Sequence, residues 1–490
     1  MSQKLQEARE YEKKVSREIP RGQRPSFHVT SLVGWANDPN GFSEFQGKYH
    51  LFYQYHPYSV QWGPMHWGHY QTQDFVKWEA LPCAIAPDTV YDQEGCFSGS
   101  AVEWQGKHYL MYTGVRKDEV TGEIRQAQCV AVGDGVEYEK LAGNPVISGE
   151  ALPEGSSLED FRDPKIWREG DLFYAVVGSR SDDTSGQIGL FVSKDVEHWE
   201  FVTILDRCRN EYGKMWECPD FFQLDGKGVL LTSPQDMVAE GLEFHNGNGT
   251  ICLIGSYDGE NHRFIRESVA AIDYGMDFYA PQTLETSDGR RIMIGWLQSW
   301  DNYMTPPGYQ WSGMMTLPRE LHVREGKLIQ TPVKEIENYY TSTVSYDCQA
   351  SENFQRLEGI QGRVFDMTVE LEKETCGNLE IRVAAGERFY TQLLYKRDAN
   401  QFITDRTYSG LCRDYLSSRA MELPEEPGKL KFRVLMDRYS LEVFLNDGEK
   451  AMTSLVFGSP EGEEIYFKAD GPFHVEFHEI QRDINGEVSL

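Results

Sequence analysis

Positive charge is scarce in this chain: 48 Lys and Arg stand against 77 Asp and Glu over 490 residues, a formal net charge of −29. Such a field repels phosphate backbones and anionic bilayers, so neither nucleic acid nor a membrane is expected as a partner. Long apolar runs are also missing. No stretch approaches the ~20 residues that span a bilayer, and the opening MSQKLQEAREYEKKVSRE is charged where a secretory signal is greasy. The expected address is cytoplasmic. Cysteines at 83, 96, 129, 208, 218, 252, 348, 376 and 412 are scattered, odd in number and free of Cys-x-x-Cys spacing, which reads as reduced thiols. His66 and His69 invite a metal, but an i, i+3 pair in a strand points to opposite faces. Neither metal nor cofactor is expected.

What the chain has in abundance is aromatic residues, with 11 Trp, 26 Tyr and 25 Phe. They suit strands, and flat rings also suit the C–H faces of sugars. The aromatics fall in a repeated hairpin. GFSEFQGKYHLFYQY, AVEWQGKHYLMYTG, KIWREGDLFYAVVG, FFQLDGKGVLLTS and LETSDGRRIMIGW each join two strands through a polar turn, with glycines at 47, 106, 170, 226 and 289. A second marker recurs in QTQDFVKWEAL, AVGDGVEYEKL, VSKDVEHWEFV and GSYDGENHRFI, with aspartates at 74, 134, 195 and 258. Both recur at roughly sixty residues, room for about four strands per unit, so the expected fold is all-β with a five-bladed β-propeller over 25–330. The rival architecture is one large β-sandwich or two with coincidental hairpins.

Past TLPRELHVREGKLIQTPV the pattern changes. KEIENYYTS reads as a short helical connector within a 331–344 linker. Beyond it RVFDMTVELE, GNLEIRVAAG, KLKFRVLMD and SLEVFL alternate apolar and polar residues, and Asn446-Asp447-Gly448 makes a turn. A β-sandwich over 345–490 is expected. Residues 1–24 form a charged, helix-prone extension that packs peripherally or stays mobile.

The repeat also sorts the acids. Asp38, Asp163 and Glu217 precede the hairpin glycines of the first, third and fourth units by nine, seven and nine residues, and the second unit has Phe97-Ser98-Gly99 at that place. Equivalent positions on inner strands face one axis, so three carboxylates should converge. Glycosidic cleavage needs such a meeting, since one acid protonates the leaving oxygen while a carboxylate attacks or stabilises the anomeric carbon. Crowding should raise the pKa of at least one of the three, and Arg162 can hold Asp163 ionised while binding a hydroxyl. Taken singly, each segment has a plainer reading: an Asx-turn at Asp38, a surface ion pair at Arg162-Asp163, a structural acid at Glu217.

In order along the chain, WANDPNG (35–41), QWGPMHWGHY (61–70), CFSGSA (96–101), FRDPK (161–165), WECPD (216–220), DFYAPQT (277–283), MIGWLQSW (293–300) and TLPRELHV (316–323) resemble glycoside hydrolase family 32, which holds the invertases. The likeness covers nearly the whole chain and departs at Ala36, where the family commonly has Met. It implies a five-bladed propeller followed by a β-sandwich and hydrolysis of β-fructosides with retention. By resemblance Asp38 is the nucleophile, Glu217 the acid/base, and Asp163 with Arg162 the holder of fructose hydroxyls. Trp35, Asn37, Gln54, Trp62, Phe97, Ser98 and Trp296 match the fructose subsite, and retention implies an Asp38 to Glu217 separation of about 5 to 5.5 Å. Cys218 either tunes its acidic neighbours or simply packs.

The implied substrate is sucrose or a short fructo-oligosaccharide. Sucrose 6-phosphate hydrolysis, fructosyl transfer and exo-fructanase action share the same fructose subsite and stand as alternatives. An inverting propeller hydrolase of arabinans or xylosides would lack the Asn-Asp-Pro-Asn-Gly loop and the Glu-Cys pair. A carbohydrate-binding module has no reason to crowd three acids. A monomer or homodimer is expected.

Overall fold

The computed structural model describes residues 1–302, 304–305, 308–410, 415–458 and 461–486; Cys412 lies outside them. The chain is dominated by antiparallel strands. Through residue 332 these form five successive sheets: Gly34–Phe45 to Trp78–Ile85, Gly95–Trp104 to Tyr138–Lys140, Ser156–Glu169 to Trp199–Arg207, Trp216–Leu224 to Arg263–Ala271, and Tyr279–Glu285 to Lys327–Pro332. The short strand Trp311–Ser312 pairs in parallel with Gly34–Phe45, tying late chain to the first sheet. The first strands of consecutive sheets touch one another, and that of the fifth touches that of the first.

Both sequence markers have local causes. Gln46-Gly47, Gln105-Gly106 and Asp225-Gly226 have positive φ at both turn residues, the two-residue hairpin whose twist matches its strands. A Cβ on those glycines would meet nothing within 4 Å, so backbone conformation and not space selects glycine. Asp74, Asp134, Asp195 and Asp258 each accept two backbone N–H groups two and three residues on, at 2.8 to 3.2 Å. They are Asx-turns leading into the last strand of the first four sheets.

The expected connector is a 3-10 helix, Lys334–Tyr339, and the strand Tyr340–Cys348 begins earlier than residue 345. From there two six-stranded sheets follow, and they bury one shared apolar cluster that includes Phe365, Phe432, Phe467 and Phe477.

The N-terminal extension takes the peripheral alternative. Helix α1 (Gln3–Ser16), capped by the Ser2 side chain on the Leu5 N–H, lies against Trp78–Ile85. It buries Leu5, Ala8 and also Glu12, whose carboxylate accepts from the Cys83 N–H at 2.8 Å. Burial pushes Glu12 up to about 8. Below pH ~4.5 the group is protonated in folded and unfolded chains alike; between there and about 8 only the unfolded chain ionises, so stability falls as pH rises through that window. Glu12→Gln keeps the acceptor and removes the titration. Its denaturant midpoint should match wild type near pH 5 and exceed it at pH 8; equal slopes across that range would refute the account.

Candidate active site

Each of the five first strands carries a register shift at the same place: between Ala36 and Pro39, Phe97 and Gly99, Arg162 and Lys165, Glu217 and Asp220, and Tyr279 and Gln282. A bulge turns the strand and re-aims side chains that would otherwise alternate. Asp163, Cys218 and Ala280 have φ of 65°, 48° and 49° at these bulges, conformations non-glycine residues adopt only where the surroundings over-determine them.

The bulges bring together the predicted acids. The Cys218 N–H donates to Asp163 Oδ2 at 2.9 Å, and its Sγ lies 3.5 Å from Asp38 Oδ2 and 3.6 Å from Asp163 Oδ2. Burial, with the three acids around it, pushes the Cys218 thiol well above the usual range, so it stays protonated and donates between the two aspartates. Of the two readings open for Cys218, the structure favours contact with the acids over plain packing.

Asp38 is 8% exposed. Ser98 Oγ donates to its Oδ2 at 2.6 Å and Asn37 Nδ2 to its Oδ1 at 3.0 Å. The Asn37 oxygen accepts from the Trp35 indole N–H at 2.8 Å, which orients the amide. Burial raises the pKa of Asp38, Ser98 lowers it, and the nearby Glu217 charge raises it again, for a net rise. Asp163 is pushed up to about 7, by burial first; Arg162 opposes this, and Glu217 and Asp38 reinforce it. The expected effect of crowding therefore falls on the two aspartates. The Asp163 N–H donates to Thr113 Oγ1 at 2.9 Å, which pins the bulge.

The Arg162 charge favours the ionised form of Asp163, as expected from their adjacency, but its hydrogen bonds go elsewhere. Its Nε donates to Glu217 Oε1 at 3.0 Å and its Nη1 to Asp160 Oδ1 at 2.9 Å. The bulge after Arg162 separates the two neighbours: the arginine swings to the fourth sheet, while Asp163 meets Cys218. Tyr279 donates its hydroxyl to Glu217 Oε2 at 2.7 Å, so both Glu217 oxygens are held.

Aromatic walls surround the acids. Trp35, Tyr279 and Trp296 are buried in one cluster, with Phe97 and Trp300 packed on it, and Trp35 stacks on Trp300 at 6.1 Å. Trp62 is 51% exposed and sets its edge against Phe97 at 6.0 Å. The Gln54 amide donates to the Cys96 carbonyl at 3.0 Å, linking the first two sheets. His66 and His69 go to the Pro64 carbonyl and to His50, each through one ring nitrogen.

Thr113, Asp160, Tyr279 and Trp300 were not singled out from sequence. Tyr279 was within reach: it sits ten residues before Gly289, close to the place that carries acids in the first, third and fourth units. Only a search restricted to carboxylates passes over it.

Glycosidic cleavage calls for a pair of carboxyl groups facing one another, and a cluster of three acids among aromatic rings on an all-β scaffold is what a glycoside hydrolase needs. Residues 28–332 match the glycosyl hydrolases family 32 N-terminal domain and 334–482 the family 32 C-terminal domain. A sucrose-6-phosphate hydrolase of Zymomonas mobilis is 38% identical over 443 residues, covering 87% of this chain and 84% of that protein. A raffinose invertase of Escherichia coli is 35% identical over 470 residues, 95% and 96% of the two chains. Among solved structures, a Bombyx mori GH32 beta-fructofuranosidase in complex with sucrose aligns over 98% of both chains with a TM-score of 0.86 at 33% identity. The chain belongs to glycosyl hydrolase family 32.

Proposed function

We propose that this enzyme is a β-fructofuranosidase that releases fructose, with retention, from sucrose or short fructo-oligosaccharides. One observation carries the reading: Asp38, Asp163 and Glu217, from three different sheets, are linked in one cluster through Cys218 and Arg162. We read the five sheets as blades of a propeller over roughly 25–330, and the two six-stranded sheets as a sandwich joined to it by the Lys334–Tyr339 turn. Closure of the first strands into a ring supports the first reading, and the shared apolar cluster supports the second.

In the proposed reaction Glu217 protonates the glycosidic oxygen as Asp38 attacks the anomeric carbon of the fructosyl unit. Glu217 then takes a proton from the water that opens the covalent intermediate. The donors on Asp38, Ser98 and Asn37, favour its carboxylate form against the burial that opposes it. Asp163, with Arg162 nearby, holds ring hydroxyls. Trp35, Asn37, Gln54, Trp62, Phe97 and Ser98 shape the subsite with Trp296, whose buried ring packs against Trp35 and Trp300. No metal or cofactor enters this scheme. A cytoplasmic address and a monomer or homodimer complete the reading.

Sucrose 6-phosphate is the alternative substrate, supported by the Zymomonas mobilis relative. Fructosyl transfer and exo-fructanase action use the same subsite. The test is a panel of sucrose, sucrose 6-phosphate, a kestose-type trisaccharide and a long fructan, with the anomer of released fructose followed by NMR. We expect β-fructose to appear first and the short substrates to lead. Initial α-fructose would overturn the retaining mechanism, and dominant oligosaccharide products at high sucrose would make the enzyme a transferase.

A further inference from the structure

Outward from Glu217 the site continues as a line of alternating charge. Arg162 sets Nε and Nη2 on Glu217 Oε1, both at 3.0 Å, and turns Nη1 to Asp160 Oδ1 at 2.9 Å. The other Asp160 oxygen, Oδ2, meets Arg180 Nη2 at 2.6 Å. Asp160 and Arg162 are two residues apart on one strand, and their side chains meet directly. Arg180 reaches them from the neighbouring strand Leu172–Ser181, beside the Phe161 and Ser179 pair. The Arg180 side chain is 37% exposed and that of Asp160 only 16%.

We propose that Asp160 is a positioning residue for the acid/base: it shares the charge of Arg162 and thereby limits how firmly that guanidinium holds Glu217 as a carboxylate. The inference rests on the reading of Glu217 as acid/base. A group that must begin the reaction protonated is ill served by an unopposed guanidinium, because the cation favours the ionised form. Burial works against the charge of Arg162, and the surrounding Glu217, Asp163 and Asp160 more than restore it. Of these three, Asp160 alone draws the guanidinium away from the reacting centre.

The other groups facing Glu217 are the Tyr279 hydroxyl on Oε2, the carboxylates of Asp38 and Asp163, and the protonated Cys218. Facing Asp160 are Arg162 and Arg180. Gln126 also accepts from Arg162 Nη1, at 3.4 Å, but carries no charge. Arg180 tempers Asp160 as Asp160 tempers Arg162, and this makes opposite predictions for the two outer residues.

Asp160→Asn keeps size and an acceptor for Arg162 and removes the charge. On sucrose we expect the alkaline limb of the kcat profile to move down by about half to one pH unit, with kcat above neutrality about 3- to 10-fold lower and KM within about 2-fold. Asp160→Glu should restore part of the shift. Arg180→Gln returns the full Asp160 charge to Arg162 and should move the same limb upward. Loss of packing cannot produce opposite shifts at two adjacent positions. Profiles that superimpose on wild type, or that move in the same direction in both variants, would overturn the proposal, and if Asp160→Asn fails to fold, an upward or absent shift in Arg180→Gln decides. Glu217→Gln is run alongside: near-normal turnover there would overturn the acid/base reading itself, whereas an inactive Glu217→Gln beside unshifted outer variants removes only the role of Asp160.

Discussion

Asp38→Asn should lower turnover of sucrose by on the order of 10⁴-fold while leaving the protein folded. An amide has the size of the carboxylate and can still accept from Ser98, but it cannot form the bond to the anomeric carbon. The substitution also takes a charge out of a site where charge is opposed. Asp38 is raised by burial, and its own charge helps hold Asp163 up at about 7. Removing it lets Asp163 ionise at lower pH and relieves repulsion with Glu217, so thermal stability should hold or rise. Turnover of the purified variant and its melting curve give both answers. Activity within about tenfold of wild type would end the nucleophile assignment.

Arg319→Met should cost stability on the order of 3 to 5 kcal/mol, far more than an exposed ion pair would. Arg319 is fully buried between the fifth sheet and the second of the chain's major units. It donates to Glu442 Oε2 at 2.6 Å, to Asp273 Oδ2 at 3.0 Å, to Gln330 Oε1 at 2.7 Å and to Thr453 Oγ1 at 2.6 Å. Glu442 also meets His28 Nε2, and His28 Nδ1 meets Asp437, both at 2.9 Å. Methionine fills much of the volume but takes the cation from two buried carboxylates, leaving Glu442 with His28 and Asp273 with only the neutral donors of Thr453 and Gly275, and the uncompensated Asp273 charge sets the cost. A shift in the denaturant midpoint measures it; a shift of less than about 1 kcal/mol would mean that the network is not holding the two units together.

His28 gives the same network a pH signature. Burial opposes its charge, but Asp437 and Glu442 overcome this and raise it to about 9. Its stabilisation is complete below the unfolded value near 6.5 and is lost as pH climbs through about 9. In Arg319→Met, Glu442 is left with His28 as its cation, so the alkaline loss of stability should extend to higher pH.

Much of the fold was open to reading because its repeat is made of local signals. Positive-φ glycines at the hairpins and Asx-turns before the last strands depend on a few adjacent residues, and they mark the chain about every sixty residues. The acids were readable for the same reason, since the repeat gives each a register. Adjacency in sequence did not reveal hydrogen-bond partners. Arg162 and Asp163 are neighbours in sequence, yet their hydrogen bonds go to Glu217 and to Cys218. The buried Glu12 also escaped notice, because a helix as charged as α1 gives no sign that one glutamate faces a strand edge.

By itself the amino-acid order determined the all-β class, the spacing of the units and the like positions of the three acids within them, since each follows from short-range backbone preference and position within a period. Tertiary structure alone decided which guanidinium serves which carboxylate, that Tyr279 closes on Glu217, and that the Cys218 thiol lies between Asp38 and Asp163. The reason is directional: a bulge rotates a side chain out of strict alternation, and where it then points depends on the neighbouring sheet, whose residues lie some fifty or more positions away in the chain.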